Sequence, residues 1–354
     1  MKIGILSLPN SISYGASLQT FALREYLEIK GCDAEVINYL PNIILNKKSK
    51  SSNLIKKTCI DALTLRKKMR FRSFERKIRK YPRHSIGKEY LSEMSKRYDY
   101  MICGSDQIWN PHITGWDYSY FFDFCNDSKK KISYAPSFGV EELPKDYSDT
   151  IAGLLSNFNC ISVRESDGAR IVNSLIHLNP VTVLDPTFLI PKDRWKTLEK
   201  KTHISNQGYV LLFMLKYSDA MISFANRLAQ EKGLKLSVIG GSFFEHGKYQ
   251  KYNYNLVGPS QWLFLFDHAD YIVTNSFHGV AFSVIFRKQF FTEYSAITNT
   301  RLYEIVSKFN LSSQLINNNN ETYHYLDYLP IEKLISSEIE KSEMYLKKAL
   351  GVQE

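Results

Sequence analysis

The segment KIGILSLPNSISYGASLQTFALREYLEIKGCDAEVINY, residues 2–39, holds the architecture in miniature. Residues 2–7 are apolar and β-prone, and residues 8–15, rich in Pro, Asn, Ser and Gly, break the strand. Residues 16–30 place Ala22, Leu23, Tyr26 and Leu27 on one helical face, and Gly31 offers the helix a stop. Residues 33–39 read as a second strand. A strand, a helix and a strand in so short a span imply a crossover between parallel neighbours, and hence a parallel sheet covered by helices.

The same rhythm runs outward from there. Strands are expected at 98–103, 131–135, 161–164 and 181–184, with a helix at 146–157 and another beginning at Glu165. A second series follows, with strands at 209–215, 235–240, 270–274 and 289–292 and helices at 219–232, 260–266 and 279–286. Residues 311–320 read as a loop and 331–350 as a charged helix. This divides the chain into an N-terminal domain (1–185), a C-terminal domain (186–330) and a terminal helix (331–354). Residues 42–96 interrupt the first domain as a basic helical insertion. Its helix, 65–80, carries Met69, Phe71, Phe74 and Ile78 as apolar contacts. Two parallel layers predict a ligand cleft between the carboxyl ends of two sheets.

The chain of 354 residues carries 46 Lys and Arg against 36 Asp and Glu, a net charge of +10. Residues 47–83 alone hold 15 of the basic side chains and two acids, Asp61 and Glu75. The remainder, with 31 basic and 34 acidic residues, is near neutral, so the charge describes one insertion and not a polyanion-binding body. Five scattered cysteines without a CxxC argue against zinc or a disulfide framework and fit reduced thiols in a cytosol. The apolar run at the N-terminus is too short for a signal peptide, and none reaches the roughly 20 residues that span a bilayer.

Four polar clusters follow expected strands, where doubly wound folds bind ligands. The first runs from Pro9 to Gly15 and includes Tyr14. It enters a helix whose N–H groups suit an anion, although a plain helix cap explains it as well. The second contains Ser105, Asp106 and Trp109. Asp106 has the chemistry of a base or hydroxyl ligand and Trp109 a flat face for a sugar, against a capping Asp and a core Trp. In the third, Arg164 at a strand end suits a carboxylate or phosphate, against a local ion pair with Glu165 or Asp167. In the fourth, Asn275, Ser276 and His278 precede Gly279, which lets a backbone approach a ligand as a helix opens.

In order and spacing these stretches resemble one family. NSISYGASLQTFALREYL followed by EVINY, then GSDQIWNP, ISYAPSFG, SVRESDG, VLDPTFL and DYIVTNSFHGVAFSVIFRKQF, are similar to polysaccharide pyruvyl transferases from residue 3 to about 308, with 42–96 matching weakly. The resemblance implies an α/β, GT-B-like fold, two Rossmann-like parallel-sheet domains facing across a cleft, acceptor on the N-terminal side and donor on the C-terminal side. It also implies transfer of the enolpyruvyl unit of phosphoenolpyruvate to a sugar of a surface-polysaccharide precursor as a pyruvate ketal, with release of phosphate. The family's mid-chain arginine falls on Arg164 and its SFHG histidine on His278.

Those residue types suit a multiply anionic donor. On this reading His278, Arg164 and Asp106 are catalytic. His278 either protonates the methylene carbon or holds phosphate, and Asp106 accepts a sugar hydroxyl proton. Ser276, Gly279, Asn275, Tyr14, Ser105 and Trp109 bind substrate, and neither metal nor cofactor is required. The expected partners are phosphoenolpyruvate and a sugar or lipid-linked sugar, without nucleic acid. The location is cytoplasmic, with peripheral contact at the inner face of the membrane through residues 47–83. Two other classes remain open: a GT-B glycosyltransferase using a nucleotide sugar, and a non-enzymatic binder of nucleic acid or membrane surfaces.

Overall fold

The computed structural model describes all residues except 9–11, 42–53, 79–84, 205–206, 241–255, 294–299, 317–322 and 353–354, together with the side chains of 54–64 and 300. Parts of the first polar cluster, of the basic insertion and of the expected loop at 311–320 therefore lie outside the described residues. The chain divides into two compact units. The first comprises Met1–Asp61, Arg72–Ile190 and Ser337–Glu354, and the second Ala62–Phe71 and Pro191–Ser336.

The first unit is built on a parallel sheet in the order β2–β1–β3–β4, where β1 is Lys2–Leu6, β2 Asp33–Val36, β3 Tyr100–Cys103 and β4 Lys131–Ser133. Ile3 lies opposite Ala34 on one side and Tyr100 on the other. Ile3, Ile5 and Leu6 are fully buried, because helices leave neither face of a parallel sheet to water. Helix Tyr14–Ile29 makes the first crossover, capped by Ser13. It is fastened to the end of β1 by polar groups: Gln19 Nε2 donates to Ser7 Oγ (3.0 Å), and the Ser7 and Thr20 hydroxyls share a hydrogen bond of 2.8 Å.

Two short strands, β5 (Ser162–Val163) and β6 (Val181–Thr182), continue the layer beside β4. A pair of serines clasps β4 to β5. Ser133 Oγ donates to Ser162 O and Ser162 Oγ to Ser133 O, both at 2.8 Å. The helix Tyr328–Ala349, expected as a separate terminal segment, returns its second half to this unit. Tyr345 Oη donates to Ser133 O (2.7 Å), Leu184 N donates to Ser342 Oγ (2.9 Å), and Leu346, Ala349 and Leu350 are buried. The apolar side chains of this charged helix are what draw it back. The unit boundary falls after Ile190, five residues beyond the expected one at 185. Buried Phe188 and Leu189 hold the turn Pro186–Leu189 to the first unit.

The second unit repeats the plan with the parallel order β10–β9–β7–β8, where β7 is Tyr209–Met214, β8 Lys235–Gly240, β9 Tyr271–Thr274 and β10 Gln289–Thr292. Every residue of β7 is buried. Helices Asp219–Glu231, Pro259–Asp267 and Phe277–Ile285 lie between its strands in sequence, and Thr300–Lys308, which the sequence reading passed over, follows β10.

The helix of the basic insertion is longer than expected, Leu54–Ile78 instead of 65–80, and its segment Ala62–Phe71 belongs to the second unit. Phe71, Phe74 and Ile78 are 2% exposed, whereas Met69 is 60% exposed. No helix among the described residues is long and apolar enough to cross a membrane.

The serine clasp gives a direct test of how β5 is held. Ser162→Ala removes the bond to Ser133 O and the acceptor for Ala135 N (3.3 Å). The expected loss is about 1–3 kcal/mol in denaturant unfolding, and a change within experimental error would show that the clasp is dispensable.

Candidate functional site

In each unit the strand order reverses direction once, between β1 and β3 in the first and between β7 and β9 in the second. At such a point two neighbouring loops leave the carboxyl ends of adjacent strands in opposite directions and open a crevice. Most of the residues singled out from sequence lie beside these two points or on the strand ends next to them.

In the first unit, β3 ends in Gly104, Ser105 and Asp106. Asp106 adopts a left-handed conformation, φ 69°, which Asp tolerates better than most residues. It is held there by its carbonyl, which accepts from Ile108 N and Ser137 N at 2.8 Å each. Arg164 follows β5 and is 5% exposed. Its Nη1 donates to Asp185 Oδ2 at 3.1 Å and lies 3.8 Å from Asp106 Oδ1, while its Nε donates to Glu165 Oε2 at 3.4 Å. Burial works against the guanidinium charge, but Glu165, Asp185 and Asp106 together outweigh it and raise its pKa above the ordinary value. Arg164 therefore meets three carboxylates of its own unit before any ligand, among them the Glu165 partner weighed from sequence. The anion-anchor role has to compete with all three.

The hub of this cluster is Asp185, which sequence reasoning passed over. Its Oδ2 also accepts from Ser105 Oγ (3.1 Å), and its Oδ1 accepts from Thr187 N (3.1 Å) and Oγ1 (2.9 Å). One side chain, 1% exposed, thus ties together the ends of β3, β5 and β6. Its signal was an Asp-Pro after a strand. That pattern announces a helical cap, which uses one oxygen and leaves the other to reach Arg164.

Trp109, expected as a platform for a sugar, is a core residue with 2% exposure. Its ring stacks on Phe121 (5.0 Å, 9°) and leans on Phe138 (5.1 Å), and Nε1 donates to Tyr120 O (3.1 Å). Its faces are covered, so its part is to fix the loop that follows Asp106. Tyr14 opens helix Tyr14–Ile29 after β1 and is 7% exposed.

In the second unit, β9 runs into Asn275, Ser276, Phe277, His278 and Gly279. Asn275 Oδ1 accepts from Leu215 N and its Nδ2 donates to Lys216 O, both at 2.8 Å. The amide thereby fastens the end of β9 to the end of β7 across the reversal point. Ser276 Oγ accepts from Gly279 N (3.3 Å) and caps helix Phe277–Ile285. A Cβ on Gly279 would lie 2.2 Å from Thr274 Oγ1, so the glycine answers a close helix–strand approach. Ser276 and Gly279, both expected to bind substrate, are joined to each other in that cap. His278 occupies the first turn, 8% exposed, its ring edge-on to Phe277 (5.1 Å, 86°). Beside the same strand ends, Ser218 Oγ donates to Glu293 Oε1 at 2.8 Å.

Asp106, Ser105 and Arg164 are thus brought together in the first unit, and Asn275, Ser276, His278 and Gly279 in the second. Among the described residues, Glu199, Asp267 and His268 present ligand-type atoms to one another. Lys192 and Lys196 stand 3.8 and 3.4 Å from Asp267 and supply the balancing charge.

Two parallel-sheet α/β units, each gathering polar side chains where its sheet order reverses, define a GT-B-like protein. Among solved structures the chain is similar to one assigned as a UDP-N-acetylglucosamine 2-epimerase from Listeria monocytogenes, with 9% identity over 99% of this chain and 90% of that one and a TM-score of 0.52. Others are the UDP-GlcNAc 2-epimerase of Methanocaldococcus jannaschii (10% identity, 95% and 99% covered, TM-score 0.48) and a glycosyltransferase from Rickettsia africae (13%, 99% and 99%, 0.47). The Listeria structure supports the fold assignment. Comparison with curated proteins finds no match. The family model of polysaccharide pyruvyl transferase matches residues 14–293. The chain belongs to the polysaccharide pyruvyl transferase family, a family of transferases.

Arg164→Ala strands three carboxylates, two of them fully buried, and is expected to cost about 3–5 kcal/mol in denaturant unfolding. Gly279→Ala is expected to cost about 1–3 kcal/mol by overpacking. A neutral result for either would show that its surroundings yield.

Proposed function

We propose that the protein transfers the enolpyruvyl unit of phosphoenolpyruvate to a sugar of a surface-polysaccharide precursor, forming a pyruvate ketal and releasing phosphate. The observation that carries this reading is the family match over residues 14–293, which spans both strand-end clusters. The reaction makes two chemical demands. A proton must reach the methylene carbon, which turns C2 into an oxocarbenium-like centre, and a sugar hydroxyl must lose its proton as it attacks that centre. The bond from C2 to phosphate then breaks, the second hydroxyl bonds to C2 to close the ketal, and its proton leaves with the phosphate.

His278 is assigned the acid's part. It is the imidazole of the Thr274–Gly279 segment, and imidazole is the side chain best suited to exchanging a proton near neutral pH. Asp106 is assigned the base's part. Its side chain is 12% exposed, and Arg164, itself fixed by Asp185 and Glu165, stands 3.8 Å away and orients it. Arg164 then works through Asp106 more than through the donor. Asn275 and Ser276 set the backbone that presents His278. As written, the reaction balances without metal or cofactor, and we place it in the cytoplasm.

Incubation with phosphoenolpyruvate and a panel of sugar and lipid-linked sugar acceptors is expected to release phosphate in step with the mass gain of a ketal. His278→Gln and Asp106→Asn are each expected to lower kcat by about 10²–10⁴ with a smaller change in KM. Failure of the wild-type protein to do either with any acceptor, together with thermal stabilisation by a nucleotide sugar and not by phosphoenolpyruvate, would sink the proposal.

A further inference from the structure

The helix Leu54–Ile78 has a use that the proposed reaction leaves untouched. At 3.6 residues per turn, Phe71, Phe74 and Ile78 share one face with the half-buried Lys67 and Arg70, and that face is packed. Phe74 meets Phe21 at 6.0 Å, and Arg70 Nη1 donates to Leu256 O at 2.7 Å. The opposite face points to water. Leu65 and Met69 stand on it one turn apart, 50% and 60% exposed, and Arg72 and Arg76 continue the line. Arg66 and Lys77 flank it on one side and Lys68 on the other. Between Leu65 and Ile78 the sole acid is Glu75, half-buried at the margin of this face.

An outward stripe of four exposed cations, with half-buried Lys68 at its edge, around two exposed apolar side chains is what an anionic lipid surface recognises. The cations gain from the surface potential of the bilayer, and the apolar pair enters the headgroup boundary instead of facing water. A nucleic acid would use the cations, but Leu65 and Met69 would gain nothing from a phosphate backbone, and the described part of this face carries no aromatic ring for a base to stack on. We propose that the outward face of residues 65–77 docks the protein on an anionic membrane surface.

The proposal is tested by co-sedimentation with vesicles of phosphatidylcholine containing about a quarter phosphatidylglycerol, compared with phosphatidylcholine alone. At low salt the intact protein is expected to bind the anionic vesicles at least about tenfold more tightly, with affinity falling as salt rises. The triple variant Arg66→Glu, Arg72→Glu, Arg76→Glu is expected to fall to the phosphatidylcholine level. The milder Met69→Gln and Leu65→Gln keep the charge and are expected to weaken binding by about threefold to tenfold, the two sites reporting the apolar contribution separately. All substituted side chains are exposed, and an unchanged melting temperature verifies that the fold is intact. Equal binding to both vesicle types, no binding to the anionic ones, or loss of vesicle binding to a competing single-stranded RNA at equal phosphate concentration would each overturn it. So would a charge-reversed variant that still binds.

Discussion

A parallel strand buried on both faces has no place for a polar side chain except its ends. The interior positions of β1, β3, β7 and β9 are apolar and closed to water, so chemistry is pushed to where the strands stop. The two reversal points then select which ends matter, because only there do neighbouring loops part and leave room for a ligand. Ser105, Asp106, Asn275 and His278 follow from that one constraint, and the rest of each unit serves to hold the strand ends in register.

Holding them raises an electrostatic problem that the two units solve differently. The first places a guanidinium among three carboxylates in a nearly dry site. Each ion alone would suffer from leaving water, and the cluster stands because opposite charges meet there and Asp185 Oδ2, which faces Arg164, also accepts from Ser105 Oγ. Asp185 shows this best, with four donors on two oxygens from three separate strand ends. The second unit uses no charge for the same task. A neutral amide, Asn275, clamps β9 to β7, and Ser276 and Gly279 close the first turn of the helix. The charged cluster fixes the strand ends of the first unit through ion pairs, and the neutral, tightly capped loop fixes those of the second through an amide and a helix cap.

The net charge belongs to neither site. It is concentrated in residues 47–83, whose described part is a helix with Phe71, Phe74 and Ile78 packed on its inner face and Arg66, Arg72, Arg76 and Lys77 exposed on its outer face. The polar strand ends and the basic face thus lie on different parts of the chain.

Much of this was legible in the sequence. The alternation of apolar runs with helical faces, from residues 2–39 onward, announced parallel sheets, and the motifs around Arg164 and His278 announced the family. Local chemistry was enough for this, because strands, caps and turns are decided by neighbours a few residues apart. Three matters required the folded chain. Trp109 looked like an open platform, and only the rings of Phe121 and Phe138 closing over it made it core. Gly279 drew notice as a glycine opening a helix, and only the approach of Thr274 Oγ1 to its Cβ position showed what the fold requires of it. Asp185 drew no reading of its own, and it became the hub because residues 21 and 80 positions away in sequence, Arg164 and Ser105, arrived at its second oxygen. The sequence by itself determined which segments are strands and helices and where their polar ends lie. The tertiary structure decided which of those ends meet and which faces are covered, since both depend on contacts between residues far apart in the chain.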